Sequence, residues 1–171
     1  MRALRTSWLA LAVALLAGCA TTSAAEPFRE VAEVTRARSG HTVRWNQGTA
    51  EDRDAEKAID GLLARDLTAD AAVQIALLGS PELQATFEEL AISRADLVQA
   101  GLLANPSFSV GRTAWESEHI APNLFASVEQ EFVSVLTMPL RKRVAATELE
   151  ATKLAVGDHV LAFAAEVRSA F

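Results

Sequence analysis

The spacing of apolar residues changes period twice in the second half of the chain, and that change restricts the fold more than any other feature. Ser80-Pro81-Glu82 carries the signals of a helix start: a hydroxyl that can cap, a proline suited to the first helical position, and an acid near the positive end of the dipole. No breaker follows until Asn105-Pro106, so the spacing predicts a helix over 81–103. Leu83, Phe87, Leu90, Leu97 and Val98 form one stripe on it, and Ile92, Ala95 and Leu102 a second. Two stripes suit a helix with neighbours on two sides. After Pro106 the period becomes 2, predicting strands over 107–115 and 124–132 with a polar loop between them. Pro139 then opens a predicted helix over 140–171, striped by Leu149, Val156, Val160, Phe163, Val167 and Ala170 and interrupted at Lys153. The fold class is therefore mainly α with a β-hairpin, in which long, coiled-coil-like helices flank two antiparallel strands.

Alternation gives each strand two chemically distinct faces. One carries Phe108, Val110, Arg112 and Ala114 on the first strand, with Leu124, Ala126, Val128, Gln130 and Phe132 on the second. The other carries Ser107, Ser109, Gly111, Thr113 and Trp115 on the first strand, with Phe125, Ser127, Glu129 and Glu131 on the second. Strands of about nine residues, apolar outside and polar inside, match the transmembrane type, which is tilted and 9–11 residues long. A half-buried hairpin in water shows the same alternation.

The start of the chain is of a different kind. Arg2 and Arg5 precede an apolar run from Trp8 to Leu16 that is too short to span a bilayer, in the manner of an export signal. Leu16-Ala17-Gly18-Cys19 resembles the bacterial lipobox. That resemblance implies a signal peptide over 1–18 and a mature chain beginning at a diacylglycerol-modified Cys19, the only cysteine among 171 residues. A single cysteine also leaves no internal disulfide and no multi-cysteine metal site. Residues 19–66 read as a tether and a mostly solvated N-terminal periplasmic segment. Within it, Thr42 to Trp45 could be a brief strand, and 51–65 an amphipathic helix with Ala55, Ile59, Leu62 and Leu63 on one side. A further helix is expected over 68–79, capped by Thr68 and stopped at Gly79.

Few residues invite chemistry. His41, His119 and His159 are scattered without a metal-ligand spacing; Glu116, Glu118 and His119 share a loop that reads as solvated. There is no phosphate-binding glycine loop and no Ser-His-Asp signature, so neither a cofactor nor a catalytic residue is expected. The net charge of −6 provides no field to gather nucleic acid, and Arg141-Lys142-Arg143 is too short to do so. That triplet suits contact with anionic headgroups or an exposed first helical turn.

The ordered set Leu67-Thr68, Ile75-Ala76-Leu77, Ser80 to Ala85, Ala95-Asp96-Leu97, Gln99 to Leu103 and Asn105-Pro106-Ser107 resembles the first repeat of TolC-type outer-membrane efflux proteins, as does Pro139 to Arg143 before a long helix. The nearest likeness is to lipoprotein components of resistance-nodulation-division exporters, including the CzcC-like heavy-metal branch. The resemblance implies a lipid-anchored outer-membrane channel built as a homotrimer, with periplasmic helices, a periplasmic adaptor and an inner-membrane pump as partners. Phe108, Val110, Leu124, Val128 and Phe132 would face lipid, and Glu129 and Glu131 the lumen. The family carries two such repeats, so residues 67–171 would be the first of them and the chain the N-terminal part of a longer protein. The alternative from a different class is a non-transporting periplasmic lipoprotein serving as a helical interaction module, or the product of a decayed gene.

Overall fold

A computed structural model describes residues 23–113 and 123–171. Among the described residues five helices and one hairpin follow in order: α1 (Ala25–Ser39), α2 (Ala50–Leu63), α3 (Ala69–Gly79), α4 (Pro81–Ala100), β1 (Ser107–Thr113), β2 (Asn123–Glu129) and α5 (Val133–Ala170). The chain is mainly α with a two-stranded antiparallel sheet.

α5 organises the packing. At 38 residues it is about 57 Å long, against about 30 Å for the 20 residues of α4. Glu82 of α4 lies 3.5 Å from His159, and the hydroxyl of Ser93 accepts from Thr152 at 3.4 Å. At the other end Gly101 lies under the stem of Lys142. These three pairings make α4 and α5 antiparallel and align α4 with residues 142–159. α1 packs on α5 beside this stretch, where Glu30 pairs with Lys153, and α3 packs further along, where Asp70 at its start pairs with Arg168. The core joins Leu83, Phe87 and Leu90 of α4 to Val73 and Leu77 of α3 and to Val156, Val160 and Ala164 of α5.

The caps follow the sequence. Thr68 accepts the Ala71 N–H at 3.2 Å and Ser80 accepts the Leu83 N–H at 3.4 Å, with Pro81 at the first helical position. α1 ends where Gly40 takes a left-handed φ of 74° that a side chain would resist.

The N-terminal part departs most from expectation. Residues 25–39, read as tether and solvated segment, form α1, whose Pro27, Val31 and Thr35 are buried. Phe28 meets Phe87 edge to face at 5.0 Å between ring centres and Trp45 at 5.7 Å. The described part of 19–66 therefore shares one core with the later helices. Thr42 to Trp45 alternates, burying Val43 and Trp45, but it pairs with no strand among the described residues. Two glutamine side chains satisfy its backbone instead. Gln74 accepts the Thr42 N–H at 3.0 Å and donates to its carbonyl at 2.8 Å; Gln84 accepts the Asn46 N–H at 2.7 Å and donates to the Arg44 carbonyl at 2.8 Å. α2 spans 50–63 rather than 51–65, and Leu63 is exposed.

Three boundaries near the hairpin also move. α4 stops at Ala100 rather than Leu103, because Gly101 and Leu102 close a tight turn onto Val98 and Gln99. β2 ends at Glu129, not 132, and β1 is described as far as Thr113. α5 starts at Val133, so Pro139 lies inside the helix rather than at its start. Proline has no N–H to give the Val135 carbonyl, and side chains reinforce this stretch: Thr137 and Arg141 both donate to the Ser134 carbonyl, each at 3.2 Å.

Candidate functional site

The hairpin is the one described element on which no helix packs to any extent. Its two strands pair in full register, from Ser107 opposite Glu129 to Thr113 opposite Asn123. Directly opposed residues share a face, so Phe108, Val110, Arg112, Leu124, Ala126 and Val128 lie together on one side. Phe108 is 69% exposed, Val110 60%, Leu124 72% and Val128 70%. An apolar face this open marks a surface built to meet something other than water. The seven described pairs extend about 23 Å along the strand, which at the tilt of a barrel strand is about 17 Å of height against an apolar band of about 25 Å.

The second face is mixed, with Ser107, Ser109, Ser127 and Glu129 beside Phe125, which is 48% exposed. Ser109 and Ser127 sit opposite one another with their hydroxyls 2.7 Å apart. Gly111 opposes Phe125, whose ring occupies the space a Cβ at Gly111 would need. An aromatic lying across a glycine in this way pins the register. At the base, Gln130 donates to the Ala104 carbonyl at 2.8 Å and holds the two exits of the hairpin together.

Of the residues expected to face lipid, Phe108, Val110, Leu124 and Val128 share the exposed face. Phe132 does not: it has left the strand and stands at the N-cap of α5, with φ −99° and ψ −15°. Glu129 closes β2 on the second face, whereas Glu131 lies beyond the strand, its carbonyl accepting from Ser134 and Gln130. Period 2 fails at Gln130 because the side chain that would extend the pattern turns back to Ala104. Leu16, Ala17, Gly18 and Cys19 lie outside the described residues, as do Glu116, Glu118 and His119.

Beside the hairpin, sequence reasoning missed a second apolar strip on α5. Val133, Leu136, Leu140 and Val144 are all exposed and recur at i, i+3, i+7 and i+11, a signal that was present in the sequence but lay across Pro139.

Away from this end several charged groups are paired, while the Thr35 hydroxyl, His41 Nε2 and Arg94 Nε are buried without a hydrogen-bond partner among the described residues. A groove of about 410 Å³ between α1 and α5 is lined by Val31, Val34, Leu154 and Leu161. Its Lys153 is paired with Glu30 at 2.6 Å and Glu150 at 2.8 Å. Burial alone would lower the Lys153 pKa, but the bonds to Glu150 and Glu30 outweigh it and hold it above the ordinary lysine value. Among the described residues no group of three or more His, Cys, Asp or Glu could hold a metal ion, and no helix is long and apolar enough to cross a membrane. Comparison with protein-family models, with curated proteins and with solved structures finds no match.

Proposed function

We propose that the chain is a lipid-anchored component of an outer-membrane efflux channel of the TolC type, contributing a hairpin to a transmembrane barrel and antiparallel helices to a periplasmic tunnel. The observation that carries this reading is the uncovered apolar face of Phe108, Val110, Leu124 and Val128 on a hairpin backed by polar residues and continued by long helices. Lipid on one side and water on the other is the environment such a pair of faces satisfies. Two strands leave two open edges that lipid does not tolerate. The barrel therefore closes with strands from other copies, as in a homotrimer, and from further hairpins.

Such a conduit performs no bond chemistry. Ser107, Ser109, Ser127 and Glu129 wet the lumen, and Glu129 favours cationic solutes modestly. Transport is driven elsewhere, by an inner-membrane pump joined through a periplasmic adaptor. Cys19 supplies a second hold on the membrane through its acyl chains, each buried methylene contributing about 0.8 kcal/mol.

The reading is tested by expressing the chain in a Gram-negative host, with palmitate labelling and membrane fractionation. Cys19→Ala is expected to abolish the label. In the Cys19→Ala background, where no acyl chain holds the protein to a membrane, Val110→Arg and Val128→Arg, each costing about 2–4 kcal/mol near a bilayer midplane, are expected to remove the chain from outer-membrane fractions, while Ser109→Arg on the other face leaves it there. Recovery of both valine variants in the outer membrane at wild-type levels would sink the proposal.

A further inference from the structure

We infer that the first turns of α5, residues 133–144, form a collar that docks on an anionic phospholipid surface, with Arg141 and Arg143 holding headgroup phosphates and the strip Val133, Leu136, Leu140 and Val144 entering the acyl boundary. The inference rests on the hairpin entering a bilayer, and adds to it which lipid chemistry this chain recognises and with which residues.

The alignment of the two long helices provides the surface. α4 ends opposite Lys142, so residues 133–141 run about 13 Å past it toward the hairpin with no parallel partner. On that overhang Leu136 is 83% exposed, and Val133 and Leu140 are also open. At 100° per residue these side chains and Val144 fall on one stripe, with Arg141 on one flank and Arg143 on the other. An apolar stripe between cations is the layout of a helix lying in a membrane interface.

The charges at this place are free for a ligand. Arg141, Lys142 and Arg143 are exposed, and none belongs to an ion pair among the described residues. Asp96 and Glu148 share a shallow groove with Arg141 without pairing to it. Because α5 begins at Val133, the triplet lies beyond the first turn, where the positive end of the dipole would oppose it. Arg141 donates to the Ser134 carbonyl, which carries its guanidinium back toward the hairpin. Lys142 points the other way, its stem resting on Gly101 at the end of α4, where the carbonyls favour a cation. Arg141 and Arg143 stand on the two flanks of the stripe without an ion-pair partner, and anionic headgroups supply one to each. The apolar stripe between the arginines must be covered at the same moment, and it continues through Phe132 from the open hairpin. A lipid surface meets both needs, which a soluble anion does not.

The test uses the full chain carrying Cys19→Ala, so that no acyl group contributes, and measures flotation with vesicles of phosphatidylcholine alone or mixed in equal parts with phosphatidylglycerol. Each cation near an anionic surface is worth roughly fivefold in binding at low salt. Arg141→Gln with Arg143→Gln is therefore expected to reduce the preference for the anionic vesicles by roughly 20- to 30-fold. Arg141→Lys with Arg143→Lys is expected to keep most of it. Val110→Gln with Val128→Gln, which adds no charge, is expected to weaken binding to both vesicles by the same factor and leave the preference intact, which separates failure of the hairpin reading from failure of this one. The inference is overturned if the glutamine pair keeps the preference, if the lysine pair loses it as fully as the glutamine pair, or if inorganic phosphate at matched ionic strength abolishes it.

Discussion

Gly111 and Phe125 show how one missing side chain positions a whole element. The Phe125 ring lies where any Cβ at residue 111 would go, so the two positions are complementary in shape as well as in register. Gly111→Val is expected to destabilise the hairpin by about 1–3 kcal/mol through overpacking, read as faster hydrogen exchange at the Val110 and Ala126 amides. Protection unchanged from wild type would mean that the ring is free to move aside. Charge acts locally in the same way at Asp52. Burial there would raise its pKa, but the N–H groups of Thr49 and Gln47 and the Arg44 guanidinium bind the carboxylate and hold it below its ordinary value. A depressed carboxyl stabilises the fold above the unfolded value of about 3.9, and the contribution is lost as pH falls through the depressed one. The loop joining α1 to α2 should accordingly loosen only in acid below pH ~4, checked by following the Thr49 and Gln47 amide resonances during an acid titration. Lys153 has the opposite sign: with its pKa raised, its pairs with Glu30 and Glu150 persist through neutral pH and are lost only as pH climbs past about 10.4. Lys153→Ala should cost about 1 kcal/mol, partly from its packed stem, measured by urea unfolding.

Among the elements, those with strong periodicity and punctuation were legible. Thr68, Ser80 and Pro81 declare their roles by type and spacing, and α3, α4 and the faces of the hairpin followed from them. α1 was not legible, because its sequence is crowded with Glu and Arg and buries only Pro27, Val31 and Thr35. What makes it a core helix is Phe28 reaching Phe87 and Trp45, a contact that no local pattern announces. The segment after it was half legible: alternation at Thr42 to Trp45 identified which side chains go inward, yet the hydrogen bonds come from Gln74 and Gln84, 32 to 40 residues away. Removing both amides with Gln74→Ala and Gln84→Ala would leave backbone groups of that segment without partners. A loss of about 0.5–1.5 kcal/mol per site is expected, measured as a lowered urea midpoint; an unchanged midpoint would show that water replaces both clamps. Pro139 misled in a different manner. Proline at a helix start and proline inside a helix look alike in sequence, and the choice of the second exposed the strip that begins at Val133. The candidate site was thus legible in its four strand positions and illegible where β2 gives way to α5 between Gln130 and Phe132.

At the scale of the whole molecule the chain has two unlike ends. One is a closed helical core in which Phe87, Leu77 and Val160 are wholly buried and the charged groups pair across helices. The other is a hairpin and the overhanging turns of α5, with apolar side chains open along both. A body built in this way is stable at its core in water while leaving an apolar end open, which the proposed bilayer would cover. The measurement that tests this account most directly places nitroxide labels, one at a time, at Phe108, Ser109, Val110, Ala126, Ser127 and Val128 of the membrane-associated chain and compares relaxation by oxygen with relaxation by a water-soluble nickel chelate. The account predicts strict alternation, with Phe108, Val110, Ala126 and Val128 reached by oxygen and Ser109 and Ser127 by the nickel complex. Equal access of the nickel complex to all six positions would contradict it.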